Sequence, residues 1–156
     1  MKWPEVCARR DLQNLPFKIE LNEQGQIIMS PVKVYHSAYQ GKIAALLYIN
    51  ADGGEVLAEC AVHTKKGTKV ADVAWASGKL FERIKKETEC SIAPEICVEV
   101  LSESNTDDEI NAKKSLYFEN GSKEVWICSE KGTIRFYNYD EELENSDWIP
   151  KFPKQI

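Results

Sequence analysis

Apolar and polar residues alternate over several stretches of the chain in a pattern that predicts β-strands. FKIELNEQGQIIMS, residues 17–30, contains two short alternating runs around Gly25, which predicts an N-terminal hairpin. GEVLAECAVHT (54–64) and GTKVADVAWAS (67–77) predict two further strands joined by a polar turn. PEICVEVLS (94–102) predicts a strand with two buried faces, because six of its nine residues are apolar or cysteine.

Helical spacing appears between these strands. The segment 30–50 carries apolar residues at helical intervals, and His36 falls on the same face. GKLFERIKKE (78–87) predicts a short amphipathic helix. NTDDEINAKKSLYFENGS (105–122) predicts a helix that begins with a capping box at Thr106 and ends near Gly121.

The end of the chain predicts a second hairpin and a docked tail. KEVWICS and TIRFYNY flank a turn at Lys131–Gly132, and the acidic, proline-broken tail carries three large apolar side chains, Trp148, Ile149 and Phe152. A strand, a helix and a strand after Pro94 indicate a βαβ unit. We therefore expect an α/β (α+β) fold with a mixed central β-sheet flanked by helices.

The length favours one domain over residues 1–156. Within it we expect the N-terminal hairpin at 17–30, a core at 31–139 and a C-terminal tail at 140–156. No apolar run is long enough to span a bilayer, and the N-terminus lacks the apolar segment of a secretory signal. Five cysteines without a C-x-x-C motif suit a reducing compartment, so we expect a cytoplasmic protein with no membrane partner.

The formal net charge of −5 disfavours a protein that coats nucleic acid with basic surface. It does not exclude an enzyme that meets phosphate through a divalent cation. With only two histidines, a zinc site has little support.

Two carboxylates lie in segments that otherwise indicate burial. Glu99 interrupts PEICVEVLS, and Asp72 interrupts VADVAW. If the two strands are neighbours, these acids can share a proton or bind a hard cation such as Mg²⁺. The alternative is that each acid separately pairs with a basic residue or caps a loop.

A lysine on the following helix adds a third candidate. Lys113 lies on the apolar arc of that helix and can either reach back toward Glu99 and Asp72 or pair with Glu109 one turn earlier. Two acids with an ammonium suit phosphodiester hydrolysis, because a cation held by the acids activates water and the ammonium stabilises developing charge.

The ordered set of these segments resembles the Uma-two family of restriction-endonuclease-like proteins within the PD-(D/E)XK nuclease superfamily. The resemblance covers nearly the whole chain and is carried by its most recognisable segments, GQIIMSP, KVADVAWAS, PEICVEVLSESNTDDEINAKKSLYFENGSKEVWIC and IPKFPKQI. It implies a restriction-endonuclease-like core with a Mg²⁺-dependent site that accepts Mn²⁺ as a substitute.

Residue by residue, the resemblance implies that Asp72, Glu99 and the backbone carbonyl of Val100 bind the metal. Two positions depart from the superfamily motif: Ala71 stands at the proline, and Leu101 at the lysine. The pattern K-x-x-x-Y implies that the following helix supplies the lysine instead.

That pattern is carried by Lys113 and Tyr117. The resemblance also places His36 and Glu59 near the pocket, with a hydrogen-bonded core histidine and a lysine-paired glutamate as the alternatives. Glu109 stands where the family often has aspartate, and its role is open between site support and the capping box.

Three functions follow as hypotheses. The first is a Mg²⁺-dependent endonuclease that hydrolyses phosphodiester bonds of DNA. The second is a non-catalytic dimerisation or interaction module with a weak or idle metal site, which fits the low basicity. The third is metal-assisted hydrolysis of a small phosphorylated molecule. A homodimer is a further expectation.

Overall fold

The chain folds into eight strands and four helices in a computed structural model that describes residues 1–156. A single 3₁₀ turn, Arg10–Leu12, follows the first helix. In chain order the elements are α1 (Trp3–Ala8), β1 (Phe17–Leu21), β2 (Ile27–Pro31), α2 (Val34–Asn50), β3 (Glu55–Thr64), β4 (Gly67–Ala76), α3 (Gly78–Ile84), β5 (Ile96–Val100), α4 (Asp107–Glu119), β6 (Glu124–Cys128), β7 (Ile134–Tyr137) and β8 (Glu142–Leu143).

The predicted mixed sheet flanked by helices is confirmed. Six strands lie in the order β3–β4–β5–β6–β7–β8, and β1 and β2 form a separate antiparallel pair. Within the large sheet only β5 and β6 run parallel, and α4 connects them as the expected βαβ crossover. None of the helices is long and apolar enough to cross a membrane.

Two apolar cores cover the two faces of this sheet. Ile43 and Leu47 of α2 pack on one face together with the tail residues Ile149 and Phe152. The opposite face is covered by α3 and α4, and Tyr117 of α4 is fully buried there. All five residues of β5 are buried as a result, which explains why its sequence has no polar face.

The start of α4 follows the predicted capping box. The hydroxyl of Thr106 accepts the Glu109 N–H at 3.2 Å, and the Glu109 carboxylate accepts the Thr106 N–H at 3.2 Å. Both bonds satisfy donors that the first helical turn would leave unpaired. The cap therefore fixes where α4 starts after β5.

The C-terminal tail docks on the chain's own sheet. The ring of Phe152 lies 4.6 Å from that of Trp126, and the ring of Trp148 lies 6.1 Å from that of Trp75, measured between centroids. Ile149 and Phe152 are buried, so the tail completes the core instead of offering a free aromatic segment.

One helix and the start of one strand are among the differences from the sequence prediction. Helix α1 at Trp3–Ala8 was not expected; Pro4 in its first turn and a 2.6 Å bond from the Lys2 N–H to Glu5 stabilise it. The strand that Pro94 was expected to open begins two residues later, at Ile96.

Candidate functional site

The pairing of two strands brings the candidate acids Asp72 and Glu99 together. β4 and β5 are antiparallel, and their last pair at this end is Val73 with Val98. The next position sets Asp72 opposite Glu99, and opposed residues of an antiparallel pair point to the same side. The strands separate there, because Oδ2 of Asp72 takes the Val100 N–H at 2.7 Å.

A lysine from the N-terminal hairpin lies between these acids. The Lys18 Nζ atom is 3.0 Å from Oδ1 of Asp72 and 3.2 Å from Oε2 of Glu99. Both carboxylates thus contact one cationic centre. Asp72 and Glu99 are therefore close enough together to bind one shared cation.

The predicted lysine of α4 also reaches the site. Lys113 Nζ lies 3.2 Å from Oε2 of Glu99 and 3.1 Å from Oε2 of Glu20 on β1. Glu20 is held in turn by the Val70 N–H at 2.7 Å. Lys113 therefore joins the acids of the core, and the alternative surface pair with Glu109 is absent. We call the five ionic residues Lys18, Glu20, Asp72, Glu99 and Lys113 the charge cluster.

Side chains outside the charge cluster orient the two strand acids. The Tyr117 hydroxyl donates to Oε1 of Glu99 at 2.6 Å, and the Gln40 amide donates to the Asp72 backbone carbonyl at 2.9 Å. His36 Nε2 lies 3.3 Å from Oδ2 of Asp72. Nδ1 of the same ring is buried without a hydrogen-bond partner, so His36 faces the site with one nitrogen only.

The other two candidate residues lie apart from the cluster. Glu109 is exposed and forms the capping box described above. Glu59 falls opposite Asp72 in the β3–β4 register, but it adopts a left-handed φ of 52°, interrupts the pairing and is exposed. No ion pair or side-chain hydrogen bond involves Glu59, so the alternative of a lysine-paired glutamate is not found either.

Burial and charge shift the acids in different directions. Burial opposes ionisation of Asp72, yet the hydrogen bond from His36 and the charge of Lys18 hold the pKa of its carboxyl well below the usual range. Burial raises the pKa of the Glu99 carboxyl, and the charges of Lys113 and Lys18 oppose this only in part. The two acids therefore differ in proton affinity.

Lys18, Glu20 and Tyr117 are held in their ordinary charge states. Burial disfavours a charged Lys18, but Glu99 and Asp72 outweigh it and raise the pKa of this ammonium well above its usual value. Burial likewise opposes ionisation of Glu20, while Lys113 and Lys18 lower the pKa of its carboxyl. Burial next to Glu99 raises the pKa of the Tyr117 hydroxyl, which stays a donor.

A cavity of about 460 Å³ opens onto the charge cluster. Its walls come from the β1–β2 hairpin, the start of α2 and the loop after β5. Polar side chains dominate the lining, including Lys33, Ser102, Ser104 and Asn105. This arrangement suits a charged, oxygen-rich ligand better than an apolar one.

Lys18 and Glu20 were missed by the sequence reasoning. They alternate with Phe17, Ile19 and Leu21, which is the ordinary pattern of a strand with one wet face. Only the packing of β1 against β4 turns that polar face inward. No signal in the segment itself distinguishes the two cases.

The oxygen donors of the site fit a hard divalent cation. Asp72 and Glu99 already share one cationic group, and carboxylate oxygen is the ligand type that Mg²⁺ prefers. No three His, Cys, Asp or Glu side chains form a ready cage for a metal ion. The two acids would therefore need the Val100 carbonyl and water as further ligands, which is usual for Mg²⁺.

Comparison with known proteins bears on fold and family. The structure is similar to that of "a putative nuclease belonging to DUF820" from Anabaena variabilis, with a TM-score of 0.69 and 17% identity over 91% of this chain and 82% of that one. No protein of curated function matches the sequence. The family model Uma2, described as "putative restriction endonuclease", matches residues 3–150. The expected family and fold are thereby confirmed, and the chain belongs to the Uma2 family.

Proposed function

We propose that this protein is a Mg²⁺-dependent endonuclease that hydrolyses phosphodiester bonds of DNA at the charge cluster. The observation that carries the proposal is the convergence of Asp72 and Glu99 on one cationic group, at the point where the pairing of β4 with β5 ends. Buried carboxylates are costly unless a cation or hydrogen bonds offset their charge, and a divalent cation that does so can also promote hydrolysis of a phosphodiester.

Three groups would hold the metal: the carboxylates of Asp72 and Glu99 and the carbonyl of Val100. A divalent cation bound there polarises the scissile phosphate and lowers the pKa of an attacking water. Tyr117 and His36 keep the two carboxylates in place through one oxygen each, which leaves Oδ1 of Asp72 and Oε2 of Glu99 directed at the shared position.

Lys113 supplies a second positive charge at Oε2 of Glu99, the oxygen that Lys18 also contacts. Its ammonium is anchored by Glu20 and Glu99, so it is held near the position where charge builds up on the phosphate. In this role Lys113 replaces the lysine that Leu101 displaces from the motif. Removing it is expected to slow cleavage more than it weakens metal binding.

A cleavage assay with matched variants tests the proposal. Supercoiled plasmid and single-stranded oligonucleotides are incubated with purified protein and Mg²⁺ or Mn²⁺. Nicking is expected from the wild type and from Asp52→Asn, which changes an exposed loop acid. It is expected to be lost in Asp72→Asn and Glu99→Gln. Cleavage that survives both site substitutions would exclude this site as its source.

A measurement of metal binding tests the endonuclease against the alternative of a non-catalytic module. Calorimetric titration of the folded protein with Mn²⁺ is expected to show one site that Asp72→Asn abolishes. Binding without cleavage would favour an idle metal site. Absence of binding at millimolar metal would contradict the endonuclease at its first step.

A further inference from the structure

Lys18 occupies a singular position among the charged side chains. It alone contacts both Asp72 and Glu99, through the two oxygens that Tyr117 and His36 leave free. Lys113, by comparison, contacts Glu99 and Glu20 but not Asp72. An ammonium therefore lies in the place where a shared divalent cation would lie.

We propose that Lys18 competes with the divalent cation for this place and that the β1–β2 hairpin must release Lys18 before metal can bind. The inference rests on the proposed function, since it takes Asp72 and Glu99 as the metal ligands. Two cations cannot use the same two oxygens at contact distance, because like charges repel strongly where water is excluded.

The attachment of the hairpin is compatible with such a release. No backbone hydrogen bond joins β1 or β2 to the six-stranded sheet. Side-chain bonds hold it instead: Glu20 accepts from the Val70 N–H, and Lys69 donates to the Leu21 carbonyl at 3.2 Å. A unit attached in this way can open without breaking a strand ladder.

The charge balance favours the exchange. The charge cluster contains three carboxylates and two ammonium groups, a formal charge of −1. Replacing the Lys18 ammonium by a doubly charged ion makes the same site neutral. Lys113 lies on α4, outside the hairpin, and keeps its contact with Glu99 in this exchange. Lys18 thus acts as a gate for the metal, whereas Lys113 stays in place.

Metal titration of a lysine series tests this gate. Lys18→Met removes the charge and keeps the length of the aliphatic stem. Lys69→Met is the comparison variant, because it removes an anchor of the hairpin but leaves Lys18 on the two acids. We expect Lys18→Met to bind Mn²⁺ about tenfold more tightly than the wild type, and Lys69→Met to show a smaller gain in affinity.

Hydrogen exchange of residues 17–31 gives a readout that is independent of activity. In the wild type, saturating Mn²⁺ is expected to increase exchange in this segment, because Lys18 loses its partners. In Lys18→Met the exchange is expected to be high already and insensitive to metal. If circular dichroism shows that Lys18→Met is unfolded, the gate is tested instead by Lys18→Gln and by the response of the wild type to metal.

The outcomes separate the two proposals. Equal affinity of wild type and Lys18→Met, with no metal response in the hairpin, would overturn the gate and leave the endonuclease intact. Weaker binding by Lys18→Met would make Lys18 a supporting group and would also overturn the gate. Absence of metal binding in both proteins would overturn the proposed function, and the gate with it.

Discussion

The Tyr117 hydroxyl and the Glu99 carboxylate form a buried hydrogen bond of 2.6 Å between α4 and β5. It occupies Oε1 of Glu99 and leaves Oε2 to both lysines of the charge cluster. The bond therefore decides which oxygen of Glu99 faces the shared cation position. It ties the helix that carries Lys113 to the strand that carries the acid.

Tyr117→Phe removes this donor and leaves Oε1 buried without a partner. We expect a loss of about 1–2 kcal/mol in the free energy of unfolding and about tenfold weaker Mn²⁺ binding. Denaturant unfolding and calorimetry measure the two effects.

Tyr35→Phe is the control for that substitution, since the Tyr35 hydroxyl lines the same cavity but donates to the Leu101 carbonyl. Equal changes in metal affinity for the two variants would show that the Glu99 bond has no special role.

Asp72 and Glu20 make the stability of the fold depend on pH. Both carboxyls have pKa values lowered in the folded state, so their contribution is complete above the unfolded value near pH ~4 and is lost as pH falls through the folded pKa. Glu99 has a raised pKa and acts in the opposite direction: its contribution is present at low pH and is lost as pH rises.

Removing one carboxyl whose pKa is lowered should make the free energy of unfolding less dependent on pH at acidic pH. Between pH 3 and 5 we expect the slope for Asp72→Asn to be smaller than that of the wild type by up to about 1.4 kcal/mol per pH unit. Denaturant unfolding across this range measures it, with Asp52→Asn as the exposed control. An unchanged slope would contradict the assigned direction for Asp72.

Gly67 fixes how closely the hairpin approaches β4. Its φ is +88°, and a β-carbon there would overlap the carbonyl oxygens of Leu21 and Asn22. Gly53 also has a positive φ, of +75°, but faces open space. The pair separates backbone strain from contact with the hairpin.

Gly53→Ala is expected to cost about 1 kcal/mol for the backbone strain, and Gly67→Ala at least about twice as much because contact is added. Only Gly67→Ala should also increase hydrogen exchange in residues 17–31. If both variants lose the same free energy of unfolding, the hairpin can move away from residue 67 at no cost.

Glu124 anchors the C-terminal tail without any cation. Its buried carboxylate accepts bonds from Trp126 Nε1 and Ser146 Oγ, each at 2.7 Å, and from the N–H groups of Asp147 at 2.8 Å and Trp148 at 3.3 Å. Four donors on one acid explain why it tolerates burial.

Glu124→Gln turns one accepting oxygen into a donor that faces other donors. We expect a loss of about 2–4 kcal/mol and faster proteolysis of residues 140–156. Ser146→Ala removes one of the four donors to Glu124, together with the bonds that the Ser146 hydroxyl accepts from the N–H groups of Trp148 and Ile149, and should cost about 1–2 kcal/mol. Similar costs for the two variants would mean that the four bonds do not act together.

The sequence predicted the fold where local patterns are strong. The alternation in β1 and β2, the capping box of α4 and the buried strand β5 all reflect short-range rules, and the structure contains each of them. Helix α1 was missed because its six residues make fewer than two helical turns, which is too short for a clear periodic signal.

Only the site residues that stand among apolar neighbours in the sequence could be predicted. Asp72 and Glu99 stood out because carboxylates are rare in apolar strands, and Lys113 because it lies on an inward arc of α4. Lys18 and Glu20 gave no such contrast, since their strand has a polar face in any case. Whether such a face meets water or another sheet depends on tertiary packing.

The charge cluster joins residues far apart along the chain. Lys18 pairs with Asp72 across 54 residues and with Glu99 across 81, while Lys113 reaches Glu20 across 93. During synthesis from the N-terminus, Lys18 and Glu20 are made long before their partners and stay hydrated until α4 emerges. An unfinished chain that lacks α4 therefore cannot contain the complete charge cluster.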